Sequence, residues 1–371
     1  MEDDLTLRVS SCTRNGNGYT LSNPRILGGW QEVRFTRSIE RCPSAFMVTM
    51  TERYPMADPP EVQIQQGDYC EVYLGQDHVC TGWVDRVMPS IAPGAHQVIV
   101  TGRSKCADIV DCAAVHEGFQ ISNSTALAIA QTLCKPFSIG VTLAPGTDQG
   151  GVVPQVVILA GETAYDIIER VCRYQAVLVY DTPTGDLLIS GIGLESAASG
   201  FQEGVNVQRA AAVYSMDQRF SDYYAIYQGI DLFSDVGGAA NQIAHLTDPG
   251  VRRYRPLVVL SESMIGGSVI AQKRAQWEMS RRAGRSYAMR VETDSWRDVN
   301  GKLYTPNTLA PLILPTLKLG SPQSPVPWLI SEVTYKRGIA GTTCDLILMP
   351  PEAFQPQPFT WVQFGPDQQI G

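Results

Sequence analysis

The amino-acid sequence predicts an α+β protein that is mainly β. It contains two copies of one β-barrel, an α/β middle domain between them, and a fourth domain inserted in the second copy. Three observations lead to this prediction. Segments at both ends of the chain alternate apolar and polar residues, as half-buried strands do. A middle region carries apolar residues at helical spacing. Several strand-like segments near the start of the chain also recur, in the same order, toward its end.

The first barrel is predicted over residues 1–104 and the middle domain over residues 105–200. Strand-like alternation is clearest in "YCEVYLG" and "HVCTGWVDRV". In the middle domain, "SNSTALAIAQTLCKPF" predicts a helix with Ser/Asn caps at its start and a proline after its end. "GETAYDIIERVCRYQA" predicts a clearer helix, in which Thr163 and Asp166 resemble a capping box. "VLVYDTPTGDLLISG" predicts a hairpin.

The repeat rests on four matched segments. "SIERCPSAF" (Ser38–Phe46) aligns without gaps to "SMDQRFSDY" (Ser215–Tyr223), at an offset of 215 − 38 = 177. The later matches have larger offsets: Val72 with Leu312 at 240, Val84 with Val333 at 249, and residues 98–100 with 346–348 at 248. The jump of 240 − 177 = 63 predicts one insertion, between about Gly229 and Tyr304.

These offsets divide the rest of the chain. The second barrel is predicted over residues 201–230 and 304–350, and the inserted domain, which holds a basic helix, over residues 231–303. Residues 351–371 are rich in Pro and Gln and are predicted to form an extended arm. Chance similarity between β strands is the alternative, but the shared order of the matches favours duplication.

Composition limits the function classes. The net charge is −8 and the pI is about 5.1, which argues against a nucleic-acid clamp, because such proteins present a basic face. "MEDDLTLRV" lacks the apolar run of a signal peptide, and no apolar stretch approaches bilayer length, so we expect a soluble protein made in a cytoplasm. Nine scattered cysteines with no CxxC pair predict reduced core thiols.

The stretch "RSKCADIVDCAAV" (Arg103–Val115) raises four alternatives: a metal site, a redox pair, an acid/base pair or scaffold. On a continuous helix Cys106 and Cys112 are about 240° apart and cannot bind one ion together. Asp108 and Asp111 lie on another side of that helix, away from the apolar face of Cys106. We therefore favour a solvated carboxylate face and packed thiols over catalysis.

No other segment predicts a reactive site. The four histidines (His78, His96, His116 and His245) lack metal-ligand spacing, and HExxH, GxSxG and P-loop motifs are absent. The basic run "KRAQWEMSRR" (Lys273–Arg282) interleaves with Trp277, a pattern found in nucleic-acid and membrane-surface helices. In an acidic chain, a helix whose long side chains lie in water or at a protein interface is favoured. The sequence thus predicts no catalytic, cofactor-binding or metal-binding residue.

Several segments together resemble a known family. The segments are "GRSKCADIVDCAAV", "SNSTALAIAQTLCKPF", "DPGVRRYRPLVV", "KRAQWEMSRRAGRSYAMRV" and "WRDVNGKLYTPN". They are similar to the baseplate hub proteins of Mu-like contractile-tailed phages, which resemble the hubs of larger myophages and the late-control D tail proteins. The resemblance covers roughly residues 25–355.

The resemblance implies a structural role without catalysis. Two tail-tube-like barrels per chain would place six barrels in a homotrimeric ring, which would adapt a six-fold tail tube to a three-fold spike. The implied partners are the tail tube protein, the central spike protein and other baseplate proteins. DNA would pass through the channel without sequence-specific binding, and no membrane insertion is implied. The implied location is the virion tail baseplate, with assembly in the host cytoplasm.

Two other function classes stay open at this stage: a tail-associated cell-wall hydrolase and a sugar-binding β adhesin. A hydrolase requires a cleft with perturbed acids, and an adhesin requires a glycan-binding barrel. For a channel, we expect an inner wall that is neutral to acidic, because a basic wall would hold DNA by counterion release. Arg274, Arg281 and Arg282 should then lie outside the bore.

Overall fold

A computed structural model describes residues 4–15, 18–50, 64–93, 95–149, 151–175, 177–193, 195–228, 241–261, 267–339 and 341–354. Within these ranges lie four α-helices: α1 (Ala107–Asp111), α2 (Ala126–Cys134), α3 (Ala164–Tyr174) and α4 (Gly267–Arg285). The strands of the first half are β1 (Leu5–Ser10), β2 (Cys12–Asn15), β3 (Gly18–Leu21), β4 (Arg25–Leu27), β5 (Glu32–Ser38), β6 (Ala45–Met50), β7 (Tyr69–Leu74), β8 (Asp77–Ala92), β9 (Ala95–Ser104), β10 (Gln120–Ser124), β11 (Val141–Leu143), β12 (Val153–Val157), β13 (Leu178–Asp181) and β14 (Leu187–Ser190). Those of the second half are β15 (Glu195–Ser196), β16 (Phe201–Gln202), β17 (Val207–Tyr214), β18 (Asp222–Gln228), β19 (Asn241–Thr247), β20 (Pro256–Ser261), β21 (Tyr287–Thr293), β22 (Thr308–Ile313), β23 (Val326–Gly338) and β24 (Gly341–Met349).

One 14-stranded sheet contains most of these strands. Its main path runs β17-β21-β24-β23-β5-β6-β9-β8-β7-β1-β4, and β22 pairs with the first part of β23. Alternation decides which face is buried, as in β1, where Leu5, Leu7 and Val9 are buried but Arg8 is exposed. The buried faces share one hydrophobic core drawn from both ends of the chain, so that Leu5 and Leu348 belong to the same cluster. The predicted class, mainly β with some α, is confirmed.

Two five-strand runs in this sheet have the same order of pairing. The first is β5-β6-β9-β8-β7, and the second is β17-β21-β24-β23-β22. In each run a bulge in the fourth strand interrupts its pairing with the third. The bulge lies between Val84 and Arg86 in β8 and between Ile330 and Glu332 in β23. The two runs therefore have matching strand order and a matching irregularity.

The ladder registers assign counterparts between the runs. They match Phe35 with Ala212, at an offset of 212 − 35 = 177. They match Val72 with Leu312, at 312 − 72 = 240. Both values equal those of the sequence alignment. Ser38 and Ser215 also make equivalent local hydrogen bonds. Each hydroxyl accepts from the backbone N–H of the residue two positions later.

The third and fourth strands match at a smaller offset than the sequence alignment predicts. The bulges make Ile330 the counterpart of Val84, at 330 − 84 = 246, whereas the alignment chose Val333. On the same ladder the counterpart of Val98 is Cys344, not Leu346. The sequence alignment therefore pairs Val84 and Val98 with the next core-facing residue along the strand instead of with their structural counterparts. That step is two residues in a regular strand and three across a bulge.

The inserted segment begins earlier than predicted. β18, predicted in the second barrel, forms a separate three-stranded sheet with β19 and β20. β21, predicted in the inserted domain, lies in the large sheet between β17 and β24. The counterpart of Phe46 is therefore Met289 and not Tyr223. The alignment continued past the end of β17 into β18, because β18 also alternates apolar and polar residues.

The middle region has its own core. Helices α2 and α3 pack with two small sheets, β10-β12 and β11-β14-β13. The predicted capping box of Thr163 and Asp166 is present in α3, and the predicted hairpin is β13–β14. α2 is capped by Thr125, whose side chain accepts from Ala128 N, rather than by the preceding Ser or Asn residues. The α3 apolar stripe is buried: Ala164, Ile167, Ile168, Val171 and Cys172.

The remaining segments attach to these units. The predicted basic helix is α4, which packs on β18 and β19 around Ala271 and Ala275. The stretch after β14, which reads as a linker, contributes β15 and β16 as parallel partners of β22. A short 3-10 helix spans Pro351–Phe354, and the rest of the predicted arm lies outside the described residues. Of the helices described, none combines the length and hydropathy that a bilayer crossing requires.

Candidate interaction surface

The helix predicted around Asp108 is short. α1 ends at Asp111, and Cys112 is extended, with φ −99° and ψ 143°, so Ala113 does not continue the helix face. Cys106 is fully buried and its thiol donates to the carbonyl of Gly185 at 3.5 Å, whereas Cys112 is exposed. The two cysteines are not brought together. The described ranges contain no group of three His, Cys, Asp or Glu side chains that could hold a metal ion.

The two carboxyls of this stretch have opposite environments. Arg103 donates to Asp111 at 2.7 Å and to Asp85 at 2.6 Å. The hydrogen bonds from Arg103 lower the pKa of Asp111, whereas burial raises the pKa of Asp108. Sequence reasoning selected both aspartates but missed Arg103, which lies near the end of β9. Its opposite charge, eight residues before Asp111, was the available signal.

A large polar surface lies on the face of the main sheet that points away from the core. We call it the polar sheet face; it is formed by β17, β21, β24, β23, β5, β6, β9 and the second half of β8. Its charged side chains follow from strand alternation: Glu32, Arg34, Asp85, Arg86, Arg103, Arg209, Arg290, Glu292, Glu332, Lys336 and Asp345. Six of these described residues are basic and five are acidic, so the face is close to neutral.

Neighbouring strands pair many of these charges. Arg209 lies opposite Glu292 in the ladder, with 3.9 Å between Nε and Oε2. Lys336 on β23 forms an ion pair with Asp345 on β24, diagonally across the ladder, since Asp345 lies opposite Thr334. Such exposed pairs contribute little stability each, about 0–1 kcal/mol. Their main effect is electrostatic. Because opposite charges alternate across the face, the positive and negative potentials largely cancel.

Two depressions, of about 910 and 650 Å³, lie on this face beside the junction of β5 and β23. Both are lined by Arg34, Arg41 and Glu332, and Arg41 Nε lies 3.5 Å from Glu332 Oε2. Two further carboxylates of the larger depression, Asp85 and Asp111, are held by Arg103. These acids are committed to ion pairs, which favours a binding or assembly surface over acid/base chemistry.

The basic run on α4 does not extend along this face. The insertion that contains α4 leaves the sheet after β17 and returns at β21. Within the run, Glu278 accepts from Arg274 at 3.0 Å and from Arg282 at 2.8 Å. Part of the positive charge of this run, which the sequence predicts to face solvent, is thus neutralised by i,i+4 ion pairs along the helix surface.

Comparison with known proteins places these features in a family. Residues 21–104 match the N-terminal domain of Mu phage baseplate assembly protein GpP-like, and residues 106–191 match the second domain of baseplate hub protein gp44-like. Residues 267–357 match the fourth domain of Mu phage baseplate assembly protein GpP. The three matched ranges follow one another along most of the chain.

Individual relatives agree. The chain is 30% identical over 303 residues to baseplate hub protein gp44 of Escherichia phage Mu, covering 79% of this chain and 78% of that protein. It superposes on the 43 kDa tail protein of prophage MuSo2 from Shewanella oneidensis with a TM-score of 0.80 and 29% identity, over 95% of this chain and 100% of that one. The tail protein of Neisseria meningitidis MC58 shares the fold, with a TM-score of 0.77 at 16% identity, over 97% and 100% of the two chains. This chain therefore belongs to the family of Mu-like phage baseplate hub proteins, as the resemblance in its sequence indicated.

Proposed function

We propose that this baseplate hub protein is a structural ring subunit without catalytic activity. Three copies form a closed ring that joins a six-fold tail tube to a three-fold spike, and DNA passes through the ring. The observation that carries the proposal is the pair of five-strand runs with the same order and register. Two equivalent units per chain make six units in three chains, so one ring presents both symmetries.

The strand pairing between the two units of one chain provides a template for the pairing between neighbouring chains. Within the chain, β5 pairs antiparallel with the second half of β23, from Glu332 to Arg337. By the register above, β17 is the counterpart of β5, and β8 is the counterpart of β23. Among the described strands, β17 pairs only with β21, and residues 86–92 of β8 pair only with β9. Within the part of the chain that the structure describes, each copy thus has two complementary edges without a neighbouring strand.

Pairing of β17 with β8 of the next copy would close the ring. The contact is head-to-tail, and such contacts form rings when the rotation closes. Each chain would contribute eight strands, and three chains would contribute 3 × 8 = 24. The proposed edges also carry exposed apolar side chains, since Met88 is 39% and Val213 is 46% exposed. Exposed apolar residues on an unpaired edge promote association with another strand.

The register predicts which residues would be opposite each other between copies. Thr36 and Thr334 are directly paired within the chain, with their hydroxyls 3.0 Å apart. Their counterparts are Val213 and Met88. We expect the double variant Met88→Cys/Val213→Cys to form disulfide-linked trimers under mild oxidation, seen as a ladder ending near 3 × 40.6 kDa on a non-reducing gel. The Cys112→Ser background removes the exposed native thiol.

Two controls test the register. Met88→Cys alone, and Met88→Cys with Tyr254→Cys, should give no ladder, because Tyr254 is exposed but lies outside the large sheet. Light scattering of the unmodified chain should independently give three times the chain mass. A monomer in solution at all concentrations, or cross-linking equal to that of the mispaired control, would refute the ring.

The polar sheet face would then line the channel. Its near balance of basic and acidic side chains supports passage of DNA, since a wall with few unpaired cations releases few counterions and holds the duplex weakly. The insertion with α4 would lie at the rim, beyond the ends of β17 and β21. The proposed units are the first barrel to residue 104, the middle domain to about 200, the second barrel, and an insertion at about 215–286. The proposed neighbours are the tail tube protein, the central spike protein and other baseplate proteins.

A further inference from the structure

A third cavity is lined by charged side chains that are mainly basic, unlike the two depressions on the polar sheet face. It has a volume of about 610 Å³ and lies where α3 and α4 meet the ends of β17 and β24. We call it the arginine pocket. Its described lining contains one carboxylate, that of Glu278, and six arginines: Arg173, Arg219, Arg274, Arg281, Arg282 and Arg285.

Most of these guanidinium groups already bind a carboxylate. Arg219 donates to Asp248 at 2.7 Å, and Arg285 donates to Glu40 of the first barrel at 2.5 Å. Glu278 forms ion pairs with both Arg274 and Arg282. The arginines are therefore held in place by their surroundings before any ligand arrives, which lowers the ordering cost of binding.

Arg281 differs from the others. Within the described residues it forms no ion pair, and its guanidinium lies over Trp277, 5.1 Å from the ring centroid. Burial lowers its pKa to about 10, so it is still charged at neutral pH. A partly buried cation beside other cations is unfavourable unless an anion compensates it. Glu40 and Glu278 attract Arg281 from a distance, whereas Arg285 and Arg173 repel it, so its charge is only partly offset.

Two observations favour carboxylates over nucleic acid as the source of a compensating negative charge. Trp277 is only 8% exposed and is also approached by Arg274 at 4.7 Å, so it offers no free face on which a nucleobase could stack. The ion pairs of the other arginines with Glu40, Asp248 and Glu278, at 2.5 to 3.0 Å, show that guanidinium groups around this pocket form carboxylate contacts of good geometry.

We propose that the arginine pocket binds the carboxylate side chains of an acidic segment of another protein chain. Arg281 would make the new contact, assisted by Arg173, whose guanidinium already lies 3.8 Å from the carboxylate of Glu169, and the remaining arginines would shape the pocket. The inference does not depend on how the ring closes, since none of these residues belongs to the β17 or β8 edge.

The test is isothermal titration of the full-length chain with a hexaglutamate peptide. We expect one site per chain, with an affinity that falls as NaCl is raised. Arg281→Gln should weaken binding about tenfold or more, because a charge-assisted hydrogen bond is lost. Arg173→Gln should also weaken peptide binding. Because the Arg173 side chain is 41% exposed, this variant is expected to fold, so the test stands even if Arg281→Gln misfolds. Arg209→Gln, 86% exposed on the polar sheet face, should leave it unchanged.

Sodium pyrophosphate and a single-stranded DNA hexamer serve as competing probes under the same conditions. Tighter binding of the DNA than of the peptide would overturn the assignment to a protein partner. Binding of pyrophosphate without binding of the peptide would show a small-anion site instead. Peptide binding that survives both Arg281→Gln and Arg173→Gln in folded chains would place the peptide elsewhere and end the proposal.

Discussion

Individual residues in this chain show that charge alone does not identify a reactive site. Asp108 and Asp111 are three residues apart and chemically identical, yet Arg103 lowers the pKa of one while burial raises the pKa of the other. The sequence indicates that both are present on a helix. It does not indicate that the helix ends at Asp111, or that Arg103 turns back toward it, because both depend on how β9 enters the middle domain.

Opposite pKa shifts predict opposite responses to substitution. Asp111 stabilises the fold at pH values above its unfolded pKa, and this contribution is lost as the pH falls through its lowered folded pKa. Asp108 has the reverse sign, because its contribution is complete below the unfolded pKa and is lost as the pH rises through its raised folded pKa. At pH 7 we expect Asp111→Asn to lower the melting temperature and Asp108→Asn to raise it slightly.

The measurement is differential scanning fluorimetry of both variants from pH 3 to pH 7. The effect of Asp111→Asn should shrink toward pH 3, and the exposed Asp294→Asn serves as a control without an arginine partner among the described ion pairs. The double variant should still assemble. A double variant that folds but does not assemble would show that the pair contributes to function beyond the local fold.

Among the elements, strands with strict alternation were predicted well and element boundaries less well. The capping box of α3, the β13–β14 hairpin and the 177-residue offset between β5 and β17 could all be read from local pattern. Pairing partners could not, because β6 and β18 have similar alternation and only tertiary pairing assigns β18 to a separate sheet. The arginine pocket was equally hidden. Its arginines come from segments far apart in the chain, and only the α4 run gave a signal.

The β8–β9 hairpin depends on a glycine in β8. A Cβ on Gly82 would overlap the backbone oxygen of Arg103 on the paired strand. We expect Gly82→Ala to reduce the free energy of unfolding by about 3 kcal/mol or more, because backbone must move to relieve the overlap. Urea denaturation checks this, with Gly28→Ala as the matched control, since its nearest neighbour would be 3.9 Å away. Equal stability of the two variants would contradict the close strand approach.

At the scale of the whole molecule, the two five-strand runs share one hydrophobic core, and the middle region has a core of its own. One hydrophobic cluster contains residues of both runs, whereas another is built around α2 and α3. β23 connects the runs directly, since its first part pairs with β22 and its second part with β5. We therefore expect the two runs to unfold together and the middle region to form its own cooperative unit.

Hydrogen exchange with Val333→Ala tests this expectation. Val333 is fully buried on the second half of β23, and its truncation should cost about 2 kcal/mol or more. Exchange should accelerate in β7 of the first run and in β21 of the second, while α3 keeps its protection. Acceleration confined to one run would show that the two runs are independent.

The pairing of β23 with both runs also predicts how the junction with β5 would respond to force. Six residue pairs join β23 to β5. A displacement along the strand direction loads all of their hydrogen bonds at once, whereas a pull at one end opens them one after another. The junction is therefore stiff against sliding and weak against peeling. A hub built from such junctions would keep its diameter under axial thrust, and would fail first where an edge strand is levered outward from one end.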